Sequence, residues 1–364
     1  MTPRLERLYT ALAAEGFDAY IAVRRPNQLY WIRSAEPVSD LPNAAYLLLA
    51  PDGDMIFPGQ AFIYACRDNL PGYAIAPTEV GTPPPVVHLV EHLLRRGYRR
   101  IVMDSLGRQA EDDLRAALPN VELHFDDLWG PRLRRTKDAD DIARMRAVAQ
   151  ISDLGMVAAF AAAHPGASSR DIAAAASSAM LAAGAEETAL QVAVGLATAY
   201  QGTGDWVYDP RRTLQPGDLL LVDMAIRYHG YLGDQTRTAL VGEGTPAQRN
   251  LIDLVQQAYA ATVAAIRPGA TSADLYRITT DIMQAHGLRQ FFPHHISHGL
   301  GLGDDLPRVA EGSDDVLQVG DAFSCEPGVY VPGLGGARFE NMLLLTADGV
   351  EQLTQSPVDP VVGG

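Results

Sequence analysis

Cysteine is scarce: Cys66 and Cys325 are the two in 364 residues, far apart and in no CxxC spacing. Neither a disulfide framework nor a thiolate zinc site is expected from them. Basic residues are also outnumbered. Against 44 Asp and Glu stand 29 Lys and Arg, a formal charge of −15. That argues against nucleic-acid or anionic-membrane partners, which want clustered Lys and Arg. No apolar run reaches the length of a membrane span. The opening stretch MTPRLERLYTALAAEGFDAY patterns as an amphipathic helix and lacks the apolar core of a signal peptide. A cytoplasmic location is the default expectation. There is no repeat period, no long linker and no low-complexity tract beyond an Ala-rich stretch at 169–184.

With 47% hydrophobic and 20% charged residues, the chain can bury large cores as an ordinary globular protein. Helical spacing marks 3–16 and 86–96, and apolar runs mark strands at 18–23, 45–49, 55–57 and 101–103. This alternation reads as an α/β domain with a mixed sheet, ending near 129–131. A long helical segment follows, with Asp138 or Asp140 as its cap. Further helices are expected at 169–184, 246–267 and 272–286. Strands are expected at 190–195, 218–226, 231–241, 295–302, 322–331 and 337–346. The domains are drawn as 1–131 and 132–364.

The acidic residues carry the chemistry. In GDLLLVDMAIRYHGYLGDQTRTALVG, residues 217–242, Asp223 lies inside an apolar run, where an uncompensated carboxylate is costly. Tyr228, His229 and Gly230 look like a hairpin turn. If the turn centres between Tyr228 and His229, Asp223 faces Asp234, and like charges directly opposite repel. In FSCEPGVYVPGLGGARFENMLLL, residues 323–345, Glu326 and Glu340 are equidistant from Gly333 and would face each other in simple register. A cation would relieve both pairs. The imidazoles cluster in PHHISHGLGL, as His294, His295 and His298. Two carboxylate pairs with one imidazole suit a dinuclear site for Mn²⁺, Co²⁺, Fe²⁺ or Zn²⁺ better than a lone Ca²⁺.

At these residues the chain resembles the pita-bread metallopeptidases, the Xaa-Pro dipeptidase, aminopeptidase P and creatinase-like group. The order Asp223, Asp234, His298, Glu326, Glu340 is similar to that family's five-ligand set. The stretches VDMAIRYHGYLGDQTRT, SHGLGL, CEPGVY and RFENMLLLTADG are similar too. RLERLYTALAAEGFDAYIAVRRPNQLYWI resembles the opening of a creatinase/prolidase-type N-terminal domain, and RRTKDADDIARMRAVAQISD the helix that begins the catalytic domain. The likeness covers nearly the whole chain. It implies an α+β protein, an N-terminal creatinase/prolidase-like α/β domain followed by a C-terminal pita-bread domain.

The resemblance also implies an activity: metal-dependent hydrolysis of Xaa-Pro peptide bonds, with two divalent ions (Mn, Co or Zn) and a metal-bridged water as nucleophile. Asp223 would chelate one ion, Asp234 and Glu340 would bridge both, and His298 and Glu326 would complete the second. Glu326 would also move protons, and His294 matches a catalytic His of the family. Thr236 and Arg338 are candidates for orienting carboxylates, Arg338 also for contacting substrate. Partners would be a peptide or other small molecule and a second copy of the chain. In relatives that are dimers, one subunit's N-terminal domain closes the other's site, a role for which Arg24, Arg25, Tyr30 and Trp31 are exposed-loop candidates.

Two family histidines are missing. Trp206, in GTGDWVYDPRR, stands where one is expected, and Asp304 and Asp305, in GLGLGDDLPRV, occupy the region of the other. Loss of a transition-state hydrogen-bond donor costs about 2.7–4 kcal/mol. The alternatives are therefore a non-peptidase metalloenzyme on this fold, a small-amide hydrolase or lyase, and a peptide-binding pseudoenzyme. In the first of these, Trp206 would bind a cationic substrate and Asp304 would act as a base.

Overall fold

The structure, a computed structural model, describes residues 2–32, 44–70, 72–77, 83–200, 212–303, 305–357 and 361–362. The chain divides into two compact units, Met1–Arg134 and Arg135–Gly364. The boundary expected after residue 131 falls inside a short helix, Trp129–Leu133.

In the first unit the elements are α1 (Pro3–Glu15), β1 (Ala19–Ala22), α2 (Arg25–Ile32), β2 (Ala44–Leu49), β3 (Met55–Pro58), α3 (Ile63–Asn69), β4 (Ala74–Ile75), α4 (Pro85–Arg96), β5 (Arg100–Met103), α5 (Arg108–Ala117), β6 (Glu122–Phe125) and α6 (Trp129–Leu133). The sheet order is β4-β3-β2-β1-β5-β6. It is mixed, as expected, with β1 antiparallel to β2 and parallel to β5. Ile21, Leu48, Leu89, Leu93, Ile101 and Met103 form its core. Asp104 ties the ends of β1 and β5 to the start of α2. It is fully buried and accepts hydrogen bonds from Tyr20 Oη, Asn27 Nδ2 and the Val23 and Arg24 amides, at 2.6–2.8 Å. Tyr30 and Trp31 are not in an exposed loop. They are buried on α2 with their rings edge to face, and Arg24 pairs with Asp127 at 2.7 Å.

The second unit comprises α7 (Ala139–Ala162), α8 (Ser169–Ala182), β7 (Glu187–Val194), β8 (Leu219–Tyr228), β9 (Tyr231–Val241), α9 (Pro246–Ala265), α10 (Ser272–Ala285), β10 (Ser297–Gly299), β11 (Asp305–Val309), β12 (Ala322–Cys325), β13 (Gly328–Val331), β14 (Gly335–Arg338), β15 (Asn341–Thr346), β16 (Gly349–Gln352) and β17 (Val361–Val362). Asp138 is the α7 cap. It accepts from the Asp140 and Asp141 amides, while Asp141 accepts from the Asp138 amide, a reciprocal capping box that satisfies otherwise orphaned donors. Sheets of order β17-β9-β8-β7 and β11-β10-β12-β15-β16 accompany the small β13–β14 ribbon. α9 and α10 bury Leu251, Val255, Leu275 and Met283 with Phe323, Phe339 and Leu343. Among the described residues, no helix is long and apolar enough to cross a membrane.

Two expected strands are each broken in two. Residues 322–331 divide into β12 and β13, and 337–346 into β14 and β15. The gaps hold Glu326-Pro327 and Phe339-Glu340. Proline has no amide to give a ladder, and the glutamate amides bond elsewhere: Glu326 N to Ile296 O at 2.8 Å, Glu340 N to Thr236 O at 3.1 Å. The expected strand 295–302 shrinks to three residues, β10, flanked by β11 and β12. Gly299 permits that approach. It faces Asp305 in the ladder, and a Cβ there would lie 2.2 Å from the Asp305 carbonyl oxygen.

Gly299→Ala must therefore move backbone. It should lower unfolding stability by about 1–3 kcal/mol, the usual effect of overpacking. Gly72→Ala, where an added Cβ meets nothing within 4 Å, should change it by less than about 0.5 kcal/mol. Equal denaturation midpoints for the two variants would contradict this packing.

Candidate metal centre

β8 and β9 form a hairpin whose two-residue connection is His229-Gly230, with φ of 48° and 78°. Positive φ at both central positions is what a type I′ turn requires. The turn thus centres one residue later than the sequence suggested. Asp223 pairs with Thr236, and Asp234 with Ala225. Asp223 and Asp234 are diagonal neighbours rather than directly opposed. A register change of two residues preserves side-chain parity, so both carboxylates stay on one face.

The glutamates follow the expected register. Cys325 pairs with Asn341 in one ladder and Gly328 with Arg338 in the next, which leaves Glu326 and Glu340 opposite each other in the gap between. Thr236 joins this pair to the hairpin. Its hydroxyl lies 2.7 Å from Glu340 Oε2 and 3.1 Å from Asp223 Oδ1, and accepts from Arg338 Nε at 2.9 Å. Arg338 Nη2 meets Asp223 Oδ2 at 2.5 Å.

His298, on β10, completes the cluster. Its Nε2 is 3.3 Å from Asp234 Oδ2 and 3.6 Å from Glu326 Oε1. Its Nδ1 lies 3.3 Å from the Gly299 carbonyl, a contact that favours the tautomer with the proton on Nδ1 and a lone pair on Nε2. Donor atoms of Asp234, His298 and Glu340 all lie within 4.8 Å of one another, and so do those of His295, His298 and Glu326.

Burying these groups together shifts their protonation. Burial lifts the Asp234 carboxyl to about 6, with Asp223 and Glu326 adding to the rise and His298 opposing it. Burial, with Asp234, Glu326 and Asp223, pushes Glu340 well above the carboxylate range. Burial would raise Glu326 as well, but the His295 hydrogen bond and the charges of His298 and Arg338 hold it below that range. His298 rises to about 10. Burial opposes protonation there, but the Asp234 hydrogen bond and the negative charges of Glu326, Asp234 and Glu340 outweigh it. Glu340 Oε1 is buried with no hydrogen-bond partner among the described residues. A buried carboxylate oxygen without a donor, beside three other acids and an imidazole, fits a divalent cation with mixed oxygen and nitrogen ligands.

The remaining candidates divide. Arg338 is buried, and each of its nitrogens faces a protein group: Asp223, Thr236 and, through Nη1 at 3.1 Å, the Tyr330 hydroxyl. This geometry places Arg338 to orient Asp223. His294 Nε2 lies 2.9 Å from Tyr330 Oη, and Nδ1 lies 2.5 Å from the His295 carbonyl. Burial, aided by Arg338 and His295, lowers its pKa to about 4, so His294 is a neutral imidazole with Nδ1–H donating and Nε2 accepting. Asp305 is committed to a buried ion pair with Lys137 at 2.8 Å rather than offered as a base. Trp206 and Asp304 lie outside the described residues. Tyr330 and Lys137 were not assigned roles from sequence, and His295 was one of three candidate imidazoles. Their signals were Tyr330's place four residues after Glu326, His295's beside His294, and Lys137's just before the α7 cap.

Residues 143–347, more than half of the chain, match metallopeptidase family M24. The chain is 24% identical over 360 residues to a Xaa-Pro dipeptidase of Pyrococcus horikoshii, covering 98% of each chain. It is 31% identical over 225 residues to a Xaa-Pro dipeptidase of Pyrococcus furiosus, a match spanning 62% of this chain and 64% of that relative. Among solved structures, a Xaa-Pro dipeptidase from Bacillus anthracis superposes with a TM-score of 0.86 at 24% identity, covering 98% of each chain. The fold is the α+β pita-bread arrangement that the sequence motifs implied, and the chain belongs to metallopeptidase family M24.

Proposed function

We propose that this protein hydrolyses Xaa-Pro peptide bonds, as a dipeptidase or an aminopeptidase, with two divalent ions held by Asp223, Asp234, His298, Glu326 and Glu340. The observation that carries this reading is the gathering of Asp234, His298 and Glu340 donors within 4.8 Å, where Glu340 Oε1 has no partner among the described residues. The names of the M24 relatives supply the substrate class. Bound divalent ions would acidify a water toward neutral pH and polarise the scissile carbonyl.

The chain's own residues do the rest. Asp234 and Glu340 would be shared between the ions, a reading supported by donor atoms within 4.8 Å of each other and of His298. Glu326, kept ionised by its neighbours, is the proton acceptor for the attacking water. Ser324 Oγ donates to Glu326 Oε1 at 3.1 Å and fixes that oxygen's direction. Arg338 and Thr236 hold the Asp223 carboxylate against rotation. Through Tyr330, Arg338 also holds the His294 ring at the edge of the site. Mn²⁺, Co²⁺ and Zn²⁺ all suit the donor set. A small-amide hydrolase is the second reading, favoured by the stretch GLGLGDDLPRV, which has no His where the family carries a substrate-binding one.

Metal that binds the folded state alone raises stability, by about 2.7 kcal/mol at a hundredfold excess over the dissociation constant. Saturating Mn²⁺ or Zn²⁺ should therefore raise the melting temperature, and Asp234→Asn should remove most of that gain. An unchanged metal-induced shift in Asp234→Asn would show that Asp234 is not a ligand.

A metal-supplemented activity screen tests the substrate class. Xaa-Pro dipeptides or longer Xaa-Pro peptides should be cleaved, and small amides should not. Turnover of small amides alone would replace the peptidase reading with the second one.

A further inference from the structure

We infer that His295 is a sixth protein ligand, bound through Nε2 to the ion that His298 and Glu326 complete. The inference rests on the proposed metal centre and extends it beyond the five residues that the family resemblance supplies.

The geometry is specific. His295 Nε2 lies 3.1 Å from Glu326 Oε1, the same oxygen that His298 Nε2 approaches at 3.6 Å. Donors sharing one ion at about 2.0–2.2 Å lie about 3–3.5 Å apart. The two imidazole nitrogens and the carboxylate oxygen fall within a single 4.8 Å cluster, and the rings stand nearly perpendicular, at 85°.

Backbone contacts set this position. Ile296, the next residue, donates its amide to Val309 O at 2.9 Å and accepts from Glu326 N at 2.8 Å. The His295 carbonyl faces His294 Nδ1. The His295 side chain is 28% exposed, so its ring can adjust toward an ion without disturbing a packed core.

The consequence is selectivity. A second nitrogen donor moves the site away from the all-oxygen preference of Mn²⁺ and toward Co²⁺ and Zn²⁺. The competing account is that His295 only donates a hydrogen bond to Glu326.

Proton NMR of the full chain loaded with Co²⁺ separates the two. A coordinated imidazole keeps an exchangeable N–H on its other nitrogen, and the paramagnetic ion shifts that resonance far from the diamagnetic envelope. The wild type should show two such resonances. His295→Gln should lose one and His298→Gln the other. In titrations, His295→Gln should weaken Co²⁺ binding about tenfold or more and narrow the preference for Co²⁺ over Mn²⁺. His295→Ala should behave alike. A single shifted exchangeable resonance in wild-type protein carrying two Co²⁺ overturns the inference and leaves the metal centre standing, whether or not either variant folds. Wild-type protein that binds no Co²⁺ overturns both.

Discussion

Four carboxylates gathered into one buried cluster are the constraint on which the rest of this unit depends. Asp223, Asp234, Glu326 and Glu340 come from two separate β-hairpins, and each hairpin on its own would bury a pair of like charges. Burial raises Asp234 and Glu340, and bringing the pairs together adds repulsion to that rise. A fold that accepts this needs compensation. Arg338 supplies part of it at Asp223, and His298 part of it at Asp234 and Glu326. Neither reaches Glu340 Oε1. A cation at that oxygen is the physical completion of the arrangement, since breaking one member of a buried charged set leaves the others uncompensated.

The ladders explain how such a cluster is assembled from ordinary sheet pieces. The hairpin β8–β9 carries its acids on one face by parity. The other two glutamates sit where β12 passes into β13 and β14 into β15, with their amides bonded to other segments. Each glutamate is thereby held by backbone from a second element, Glu326 by Ile296 and Glu340 by Thr236. His298 and His295 flank one of these anchor points, Ile296. Position at the centre is set by backbone pairing more than by side-chain packing.

Much of this was legible in the sequence because strand parity is robust. The turn at His229-Gly230 was read one residue early, which shifted the pairing by two and left both aspartates on the correct face. Gly333 gave the second register directly. The strand breaks at 322–331 and 337–346 were not read, although Pro327 marks the first; the amide partners that hold the gaps are distant in sequence. Helix α5 was missed because Leu114 is its one buried residue, too little for an apolar period. Tyr30 and Trp31 were exposed-loop candidates with core packing as the alternative, and the short helix α2 buries both. The ion pair of Lys137 with Asp305 joins residues 168 positions apart, which no local pattern reveals.

The central claim is that one chain holds two ions among these five residues. Anomalous diffraction from crystals of the Mn²⁺-loaded protein, recorded at the manganese edge, tests it most directly. The account predicts two anomalous peaks per chain, about 3.5–4 Å apart, with Asp234 and Glu340 contacting both. A single peak, or manganese bound away from Glu340, would contradict it.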